Sequence, residues 1–455
     1  MDEGSQTVGD AIDEIPLGRF HRRLFLITGV LWAAMAVSVL GISFVLPTLI
    51  ARWNLSGFAA GVLGSASLAG MMVGNTAGGW YADRAGRKRT LVVTVTVFPL
   101  FTALTALAVG LYSAVVLRFL TGVGLGGALV AGATYLAEYF PTENRGRYVT
   151  YLEAFFSVGS LVTVAAAWLV LRRLATDGTV WNVAAWRLYF AAGGIPILLA
   201  LAIYWYLPAS PYFLASKGRT EAATERLASV ARENDAAAPS VGGSLSVGRS
   251  DEAGLRRLFD VDLRGTTLLM AGLWFGVNLA YYGIFTWLPS TVQAAGYVDS
   301  LYRYLFVVAV FQLLGQVSAA YLIEVIGRKW TVGSYMLLGG AATYLFASAI
   351  PDGTTGTGDQ TLFTVGLFAM GFALFGAWAV LYAYTAEIFP TEVRSSGLGF
   401  AGTVGKVAAT AGPVLFGTLV QFGYLAALAP VTVVLVVAGL VLLAVGRETK
   451  DRTLI

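Results

Sequence analysis

Three ionisable side chains stand inside long apolar segments of this 455-residue chain: Arg118, Glu153 and Lys406. An isolated charge is expensive in hydrocarbon, by about 2.5–3.5 kcal/mol at the centre of a membrane helix on insertion scales. Such a side chain therefore faces a protein interior or a cavity. There an ammonium or guanidinium group can bind an anion, and a desolvated carboxylic acid can carry a proton. These three residues are the first candidates for a functional site.

Each of the three also has a purely structural interpretation. Arg118 lies about five residues from one end of its apolar run, so its long side chain could extend to the membrane interface. Glu153 could pair with a cation for stability alone. Lys406 lies about 15 Å deep in its run at 1.5 Å per residue, and it could be the structural partner of a carboxylate in the other half of the chain.

The composition predicts a polytopic membrane protein and excludes several kinds of chemistry. Hydrophobic residues make up 57% of the chain and charged residues 12%, about half of the roughly 25% charge of a soluble domain. There is no cysteine and one histidine, His21, which excludes disulfides, thiolate chemistry and zinc sites rich in histidine. No phosphate-binding Gly-x-x-x-x-Gly-Lys-Ser/Thr loop occurs, which argues against an ATP-driven pump. We expect no enzyme activity and no cofactor.

Twelve apolar runs are long enough to cross a bilayer, which takes about 20 residues as a helix. They predict an all-α membrane protein with twelve transmembrane helices. The predicted spans are 24–50, 59–82, 91–111, 113–139, 148–171, 187–207, 264–289, 303–326, 331–350, 362–386, 396–420 and 425–446.

The distribution of basic residues predicts the orientation of these spans. Of the 30 Lys and Arg residues, 23 fall on the side that carries both termini and 5 on the opposite side. Short loops rich in Lys and Arg stay in the cytoplasm, so both termini are predicted to be cytoplasmic. The net charge of +4 reflects these loops, and we expect no nucleic-acid partner. The first residues, Met1 to Glu14, are acidic, which is not the charge order of a signal peptide, and they predict a retained, disordered tail.

The sequence predicts two six-helix bundles joined by a polar linker. The predicted divisions are an N-terminal cytoplasmic tail at 1–23, a bundle at 24–207, a cytoplasmic linker with short helices at 208–263, a second bundle at 264–446 and a C-terminal cytoplasmic tail at 447–455. Two motifs of the first half return in the second. These are WYADRAGRKRT, repeated as AYLIEVIGRKWT, and YLAEYFPTENRGR, repeated as YTAEIFPTEVRSSG. Parallel repeats of this kind place a binding site between the two halves.

These motifs resemble the major facilitator superfamily over the whole chain from about Leu24 to Thr453. The run DRAGRKR (Asp83 to Arg89) is similar to the family's signature after the second helix, and Arg118-x-x-x-Gly122-x-Gly124-x-Gly126 to its fourth-helix motif. Within the superfamily, the segments AEYFPTENRGR, LPASPYFLASKGR and GRETKDRTL resemble sugar porters and their relatives. Those relatives include organic ion, nicotinate-type and synaptic-vesicle-glycoprotein-like transporters, to which YYGIFTWLP is most similar.

The resemblance implies a gate made of ion pairs at the cytoplasmic ends of the helices. Its members are Asp83, Gly86, Arg87, Glu138, Arg145, Glu324, Arg328, Glu387 and Arg394. They would hold the cytoplasmic side closed in the outward-facing state. Alternatively, they are ordinary charged residues of solvated cytoplasmic loops. The glycines after Arg118 predict close helix packing rather than binding.

The resemblance also implies a substrate site between the halves. The segment GLGFAGTVGKVAATAGP resembles the eleventh helix of organic-anion and nicotinate-type transporters, which place a cation at the position of Lys406. Glu153 stands where sugar porters usually carry a glutamine, and Trp274 and Phe275 replace a glutamine pair. Candidate substrate-binding residues are Lys406, Arg118, Trp274, Asn278, Tyr281, Tyr282, Gln312, Gln316, Trp378 and Tyr382. Any one of the aromatic residues could instead serve packing alone.

The sequence thus predicts a secondary transporter of a small organic anion, such as an aromatic monocarboxylate, that works by alternating access. Glu153 would couple a proton, because a desolvated carboxylic acid can carry one. The first span carries no carboxylate, so proton coupling rests elsewhere or does not exist. The expected partners are the substrate, protons and the bilayer of the plasma or bacterial inner membrane, and the expected state is a monomer. Two alternatives stay open: a sugar or polyol symporter or uniporter of the same fold, and a transporter-like membrane protein that binds partners without transport.

Overall fold

The computed structural model describes residues 6–239, 245, 255–351 and 356–450, and these residues are almost entirely helical. The long helices of the first half are α2 (Arg19–Trp53), α3 (Gly57–Ala85), α4 (Arg87–Leu104), α5 (Leu111–Ala137), α6 (Thr142–Ala167) and the pair α7 (Ala185–Ala192) and α8 (Leu198–Tyr206). Those of the second half are α11 (Arg264–Ala294), α12 (Leu301–Val325), α13 (Arg328–Ala349), α14 (Gln360–Ile388), α15 (Arg394–Leu419) and α16 (Tyr424–Val445). The short elements are the helices α1 (Val8–Asp13), α9 (Pro211–Ser216) and α10 (Thr220–Glu233) and a two-stranded hairpin of β1 (Thr179–Val180) and β2 (Val183–Ala184).

Each of the twelve predicted spans coincides with one of these long helical segments. Among the described residues, 11 helices are long and apolar enough to cross a membrane by length and composition. The ninth predicted span is not among them, although α13 fills its place between α12 and α14. Glycine, serine and threonine residues lower the hydropathy of α13, and such small residues serve close packing between membrane helices.

The sixth predicted span is broken rather than continuous. The α-helix stops at Ala192, two glycines follow, and a short 3-10 turn at Ile195–Ile197 leads into α8. The break has two causes. Glycine loses more backbone conformational freedom than other residues when it enters a helix, and Pro196 has no N–H to donate to a helical hydrogen bond. The preceding span also ends irregularly, because Trp168–Arg173 forms a π-helical turn.

The two halves pack their helices in the same pattern. In the first half α3 and α4 pack on α5 and α2 packs on α6, and in the second half α12 and α13 pack on α14 and α11 packs on α15. The interface between the halves is formed by α3 with α15, α2 with α11 and α6 with α12. Far from the termini, the Arg172–Asp299 ion pair of 3.1 Å links the halves. The repeat predicted from the motifs is therefore visible in the packing.

The N-terminal tail is ordered, and the prediction of a disordered tail is wrong for residues 7–15. Thr7 caps α1, and Val8, Ala11 and Ile12 are buried. The Asp13 carboxylate accepts a hydrogen bond of 2.6 Å from the backbone of Thr142. The apolar residues of the tail are spaced as on one face of a helix, and this face packs against the rest of the protein. The prediction considered only the acidic residues and missed this spacing.

The described part of the predicted linker contains two short helices. The two helices α9 and α10 lie at the end of the molecule that carries the termini. Asn234, just after α10, accepts a hydrogen bond of 3.0 Å from the backbone of Phe20 and contacts the imidazole of the buried His21 at 2.9 Å. The first span begins at Arg19 rather than at 24. Residues 240–244 and 246–254 of the linker, and 451–455 of the predicted tail, lie outside the described residues.

Candidate functional site

A small cavity lies where the two halves meet, near the middle of the long helices. Five of its lining residues come from the list of predicted site residues, and Glu153 is the predicted proton carrier. The lining residues are Trp32, Met35, Val39, Met71, Leu129, Glu153, Phe156, Tyr281, Tyr282, Phe375, Trp378, Tyr382 and Lys406. The cavity measures about 40 Å³, more than the 10–15 Å³ needed for one water molecule. The helices must move apart to admit an aromatic acid.

Glu153 and Lys406 face this cavity from opposite halves of the chain. Glu153, on α6, accepts a hydrogen bond of 3.3 Å from the indole Nε1 of Trp32 on α2. Lys406, on α15, places its Nζ 5.8 Å from the centre of the Tyr282 ring, within reach of a cation–π interaction. The two charges attract one another across the cavity but form no direct ion pair. Each therefore retains the capacity to bind a partner.

Aromatic rings from α11 and α14 form the wall beside Lys406. Tyr281 lies 4.8 Å from Tyr282, 5.1 Å from Phe375 and 5.6 Å from Trp378, measured between ring centroids. Such edge-on contacts fix the ring orientations. A flat, partly apolar ligand can pack on a wall of this kind.

The hydroxyl of Tyr281 is an unused hydrogen-bonding group at the cavity. Tyr281 is 3% exposed, and its Oη has no hydrogen-bond partner among the described residues. Buried hydroxyl groups usually have a partner, so this one is available for a ligand. Tyr281 also borders a second cavity of about 50 Å³, lined in part by Gln312 and Phe285.

Four other predicted substrate residues do not line the central cavity. Trp274 stands behind it, with its ring 4.7 Å from Tyr382 and its Nε1 donating to Thr385 at 2.9 Å. Asn278 donates to the Trp274 carbonyl at 2.8 Å. Gln316 accepts a hydrogen bond of 2.8 Å from Ser157 across the two halves. Gln312 lines only the second cavity.

Arg118 lies apart from the central cavity, inside the N-terminal half. It is fully buried, so the guanidinium does not extend to the membrane interface. Its Nη2 donates to the Ser38 carbonyl at 2.7 Å and lies 3.3 Å from the Ser67 hydroxyl. Arg118 is therefore not part of the substrate site proposed below.

Sequence reasoning missed the apolar part of the lining. The residues in question are Trp32, Met35, Val39, Met71, Leu129, Phe156 and Phe375. Apolar side chains in a membrane helix look alike whether they face lipid, protein or a cavity. The one usable signal was Trp32, which lies too deep in the first span to be an interface anchor.

Three of the predicted gate residues of the first half, Asp83, Arg87 and Glu138, form an ion-pair cluster between helix ends. The Arg87 guanidinium contacts Glu138 at 2.8 Å and Asp83 at 3.2 Å, and it donates to the Ala82 carbonyl at 3.1 Å. The Glu138 side chain is 11% exposed, whereas that of Asp83 is 72% exposed. Gly86 has a φ of +90° with the Phe213 ring against it, a backbone conformation that favours glycine.

The second half repeats this cluster residue by residue. Arg328 contacts Glu387 at 3.0 Å and Glu324 at 3.4 Å, and it donates to the Ile323 carbonyl at 3.0 Å. The phenols of Tyr135 and Tyr384 also donate to equivalent backbone carbonyls, at 2.5 and 2.6 Å. Each of these ion pairs joins residues of the same half, and none of them links the two halves. Arg145 lies outside them, and Arg394 begins α15.

The glycines after Arg118 pack helices, as predicted. A Cβ on Gly124 would lie 2.6 Å from the backbone nitrogen of Phe98, and one on Gly126 would lie 2.7 Å from that of Asn75. Both distances are too short for a side chain. The motif therefore brings α5 against α3 and α4 rather than binding a ligand.

Comparisons with known proteins identify the family. The model of the "Sugar (and other) transporter" family matches residues 51–455. The niacin transporter NiaP of Acinetobacter baylyi is 31% identical over 450 residues, covering 97% of this chain and 98% of that protein. The gallate transporter of Pseudomonas putida is 31% identical over 435 residues, covering 91% and 89%.

Solved structures agree with the fold. The partially occluded inward-open xylose transporter XylE of E. coli superimposes with a TM-score of 0.76 at 21% identity, covering 96% of this chain and all of that one. The predicted fold class, two six-helix bundles of the major facilitator type, is confirmed. The chain belongs to the sugar (and other) transporter family of the major facilitator superfamily, and it is a multi-pass membrane transporter of small molecules rather than an enzyme.

Proposed function

We propose that this protein transports a small aromatic monocarboxylate together with a proton, by alternating access of its two halves. The observation that carries the proposal is the pair of opposite charges in the central cavity, Lys406 and Glu153, which form no direct ion pair with each other and lie beside an aromatic wall. The relatives whose names specify niacin and gallate support the same class of substrate.

Lys406 would bind the carboxylate, and the rings would hold the body of the substrate. A carboxylate that enters a low-dielectric cavity loses its water shell and needs a compensating positive charge. The free hydroxyl of Tyr281 would donate to a carboxylate oxygen or to a polar atom of the aromatic ring. The Tyr282 and Trp378 rings would pack on the faces and edges of the substrate.

A neutral sugar fits this cavity less well, although the family model and the xylose transporter keep it as the second candidate. Sugar hydroxyls need many hydrogen-bond partners, and amide side chains supply them well. No asparagine or glutamine is among the residues that line the central cavity. Asn278 and Gln316 already hydrogen-bond to protein groups.

A binding test with matched ligands separates these functions. We expect benzoate to raise the melting temperature of the purified protein, because a ligand that binds only the folded state stabilises it by about 2.7 kcal/mol at one hundred times its Kd. Benzamide, which has the same ring without the charge, benzylamine and xylose are expected to have no comparable effect.

Uptake into proteoliposomes completes that test. Accumulation of labelled benzoate would distinguish a transporter from a membrane protein that only binds. Stabilisation by xylose but not by benzoate would contradict the anion proposal and favour the sugar alternative.

We further propose that the two ion-pair clusters form a mechanical gate at the end of the molecule that carries the termini, which would face the cytoplasm of a monomer in the cell membrane. Each cluster ties the ends of two or three helices of one half together. The half then moves as a unit and presents the same face to its partner in the outward-facing state.

The gate proposal predicts that two carboxylates of one cluster differ in importance. Glu138→Gln leaves the Arg87 guanidinium without its buried partner and is expected to raise access from the cytoplasmic side at least tenfold. Asp83→Asn removes an exposed pair, worth at most about 1 kcal/mol, and should change access less than about fivefold. Because the natural chain has no cysteine, a Gly402→Cys substitution on α15 gives a unique labelling site, and a Cβ there meets no other atom within 4 Å.

The equivalent carboxylate of the second half, Glu387, provides a parallel test. Glu387→Gln should act like Glu138→Gln if the clusters are functional repeats. Equal labelling rates and equal transport in all three variants would show that these residues are ordinary charged groups of cytoplasmic loops.

A further inference from the structure

A groove in the N-terminal half is separate from the central cavity. It measures about 510 Å³ and lies between α2, α6 and the broken sixth span. It shares no lining residue with the central cavity. Val30, Val162 and Leu198 form its rim and are 47%, 49% and 61% exposed. The groove therefore opens on the apolar outer surface of the bundle, where lipid lies.

Two hydroxyl groups on the groove wall lack partners. Ser38 and Tyr189 line the groove and are 2% and 6% exposed. Neither Ser38 Oγ nor Tyr189 Oη has a hydrogen-bond partner in the part of the chain that the structure describes. The groove wall thus contains two unused polar groups, and Tyr189 also lies against Gly41, less than one helical turn from Ser38.

A positive charge lies directly behind these hydroxyls. The Arg118 guanidinium is bound to the Ser38 carbonyl, and its Cζ is 5.6 Å from the ring of Phe190, another wall residue. Its Nε and Nη1 have no hydrogen-bond partner among the described residues.

No carboxylate of the described residues forms an ion pair with Arg118, and the whole of α2 carries none. A buried, uncompensated guanidinium is costly. The compensating charge is therefore expected from outside the protein.

We propose that this groove binds a long-chain fatty acid that enters from the bilayer. The carboxylate would accept hydrogen bonds from Ser38 and Tyr189 in front of the Arg118 charge, and the acyl chain would follow α2 towards Val30. Ser38 is about 22 Å along α2 from Trp53, and Arg118 is about 10 Å along α5 from Leu111, at 1.5 Å per residue, so the carboxylate would lie below the membrane interface that is opposite the termini. A single-chain acid can enter in its neutral form.

The test is photolabelling of the whole protein in phosphatidylcholine nanodiscs with a diazirine-bearing palmitic acid. We expect labelled peptides from α2 and from the broken sixth span. Unlabelled palmitate should compete at least tenfold better than palmitamide, which has the same chain without the charge. The double substitution Ser38→Ala/Tyr189→Phe should weaken palmitate competition at least tenfold.

A second variant keeps the proposal testable if the double substitution does not fold. Val37→Trp would fill the groove and is expected to remove most of the labelling. Val433→Trp, on the lipid-facing side of α16 and 58% exposed, is the matched control and should label like the natural protein. Benzoate uptake is expected to continue in both tryptophan variants, so failure of this proposal is distinguishable from failure of the proposed function.

Three results would overturn the proposal. Equal labelling of the natural protein and Val37→Trp would place the probe elsewhere. Equal competition by palmitamide would show that the charge plays no part. Stronger competition by phosphatidylglycerol than by palmitate would identify the occupant as a phospholipid of the bilayer.

Discussion

Replacing Lys406 with alanine is expected to abolish binding of aromatic carboxylates. A charge pair at about 4 Å contributes about 4 kcal/mol at an effective dielectric near 20, and each 1.4 kcal/mol is a factor of ten in affinity. The Kd of benzoate should therefore rise by about a thousandfold. Calorimetric titration of the purified variant measures this change directly.

The other substitutions at this position test the chemistry of the charge. Lys406→Arg keeps a positive charge but replaces a point charge with a planar fork, so it should retain part of the affinity with altered selectivity among carboxylates. Val407→Ala alters the next residue, which is 48% exposed on the other side of α15, and should bind benzoate like the natural protein.

A structural role for Lys406 gives a different pattern. In that case Lys406→Ala would lower the melting temperature because Glu153 loses its electrostatic partner, and Glu153→Gln combined with Lys406→Ala would restore it. Undiminished binding of a sugar or an organic cation by the alanine variant, with benzoate binding also unchanged, would contradict the organic-anion proposal.

The positions of Lys406 and Glu153 could be predicted because charge inside a membrane is rare and costly. Hydropathy located the twelve helices for a related reason, since a spanning segment must be long and apolar. The two-fold arrangement followed from the repeated acid–Gly–Arg–Lys motif, and the equivalent contacts of Arg87 and Arg328 agree with it.

The direction in which a side chain faces could not be predicted from the sequence. Arg118 has the same signature as Lys406 in the sequence, yet it binds to backbone and serine groups of its own half. Whether a helix is continuous is equally hard to read, because Pro413 lies inside an unbroken α15 while Pro196 follows two glycines at a break. Tertiary packing decides both outcomes.

Replacing Glu153 with glutamine is expected to separate exchange from proton-driven uptake. Glutamine keeps an oxygen that can accept the hydrogen bond from Trp32, so substrate binding and cavity shape should persist while the titratable group is lost. Counterflow exchange of labelled benzoate should continue, because it needs no net proton movement. Uptake driven by an inward proton gradient should fall to the level seen without a gradient.

The measurement is made in proteoliposomes that contain a pH-sensitive dye, which reports proton entry together with substrate. Glu143→Gln, in the exposed first turn of the same helix, is the matched control and should leave both activities unchanged. If gradient-driven uptake survives in Glu153→Gln, the proton must be carried by another group. If uptake by the natural protein ignores the gradient altogether, the transporter is a uniporter, and the Glu153 carboxylate then serves to balance the charge of Lys406 when the cavity is empty.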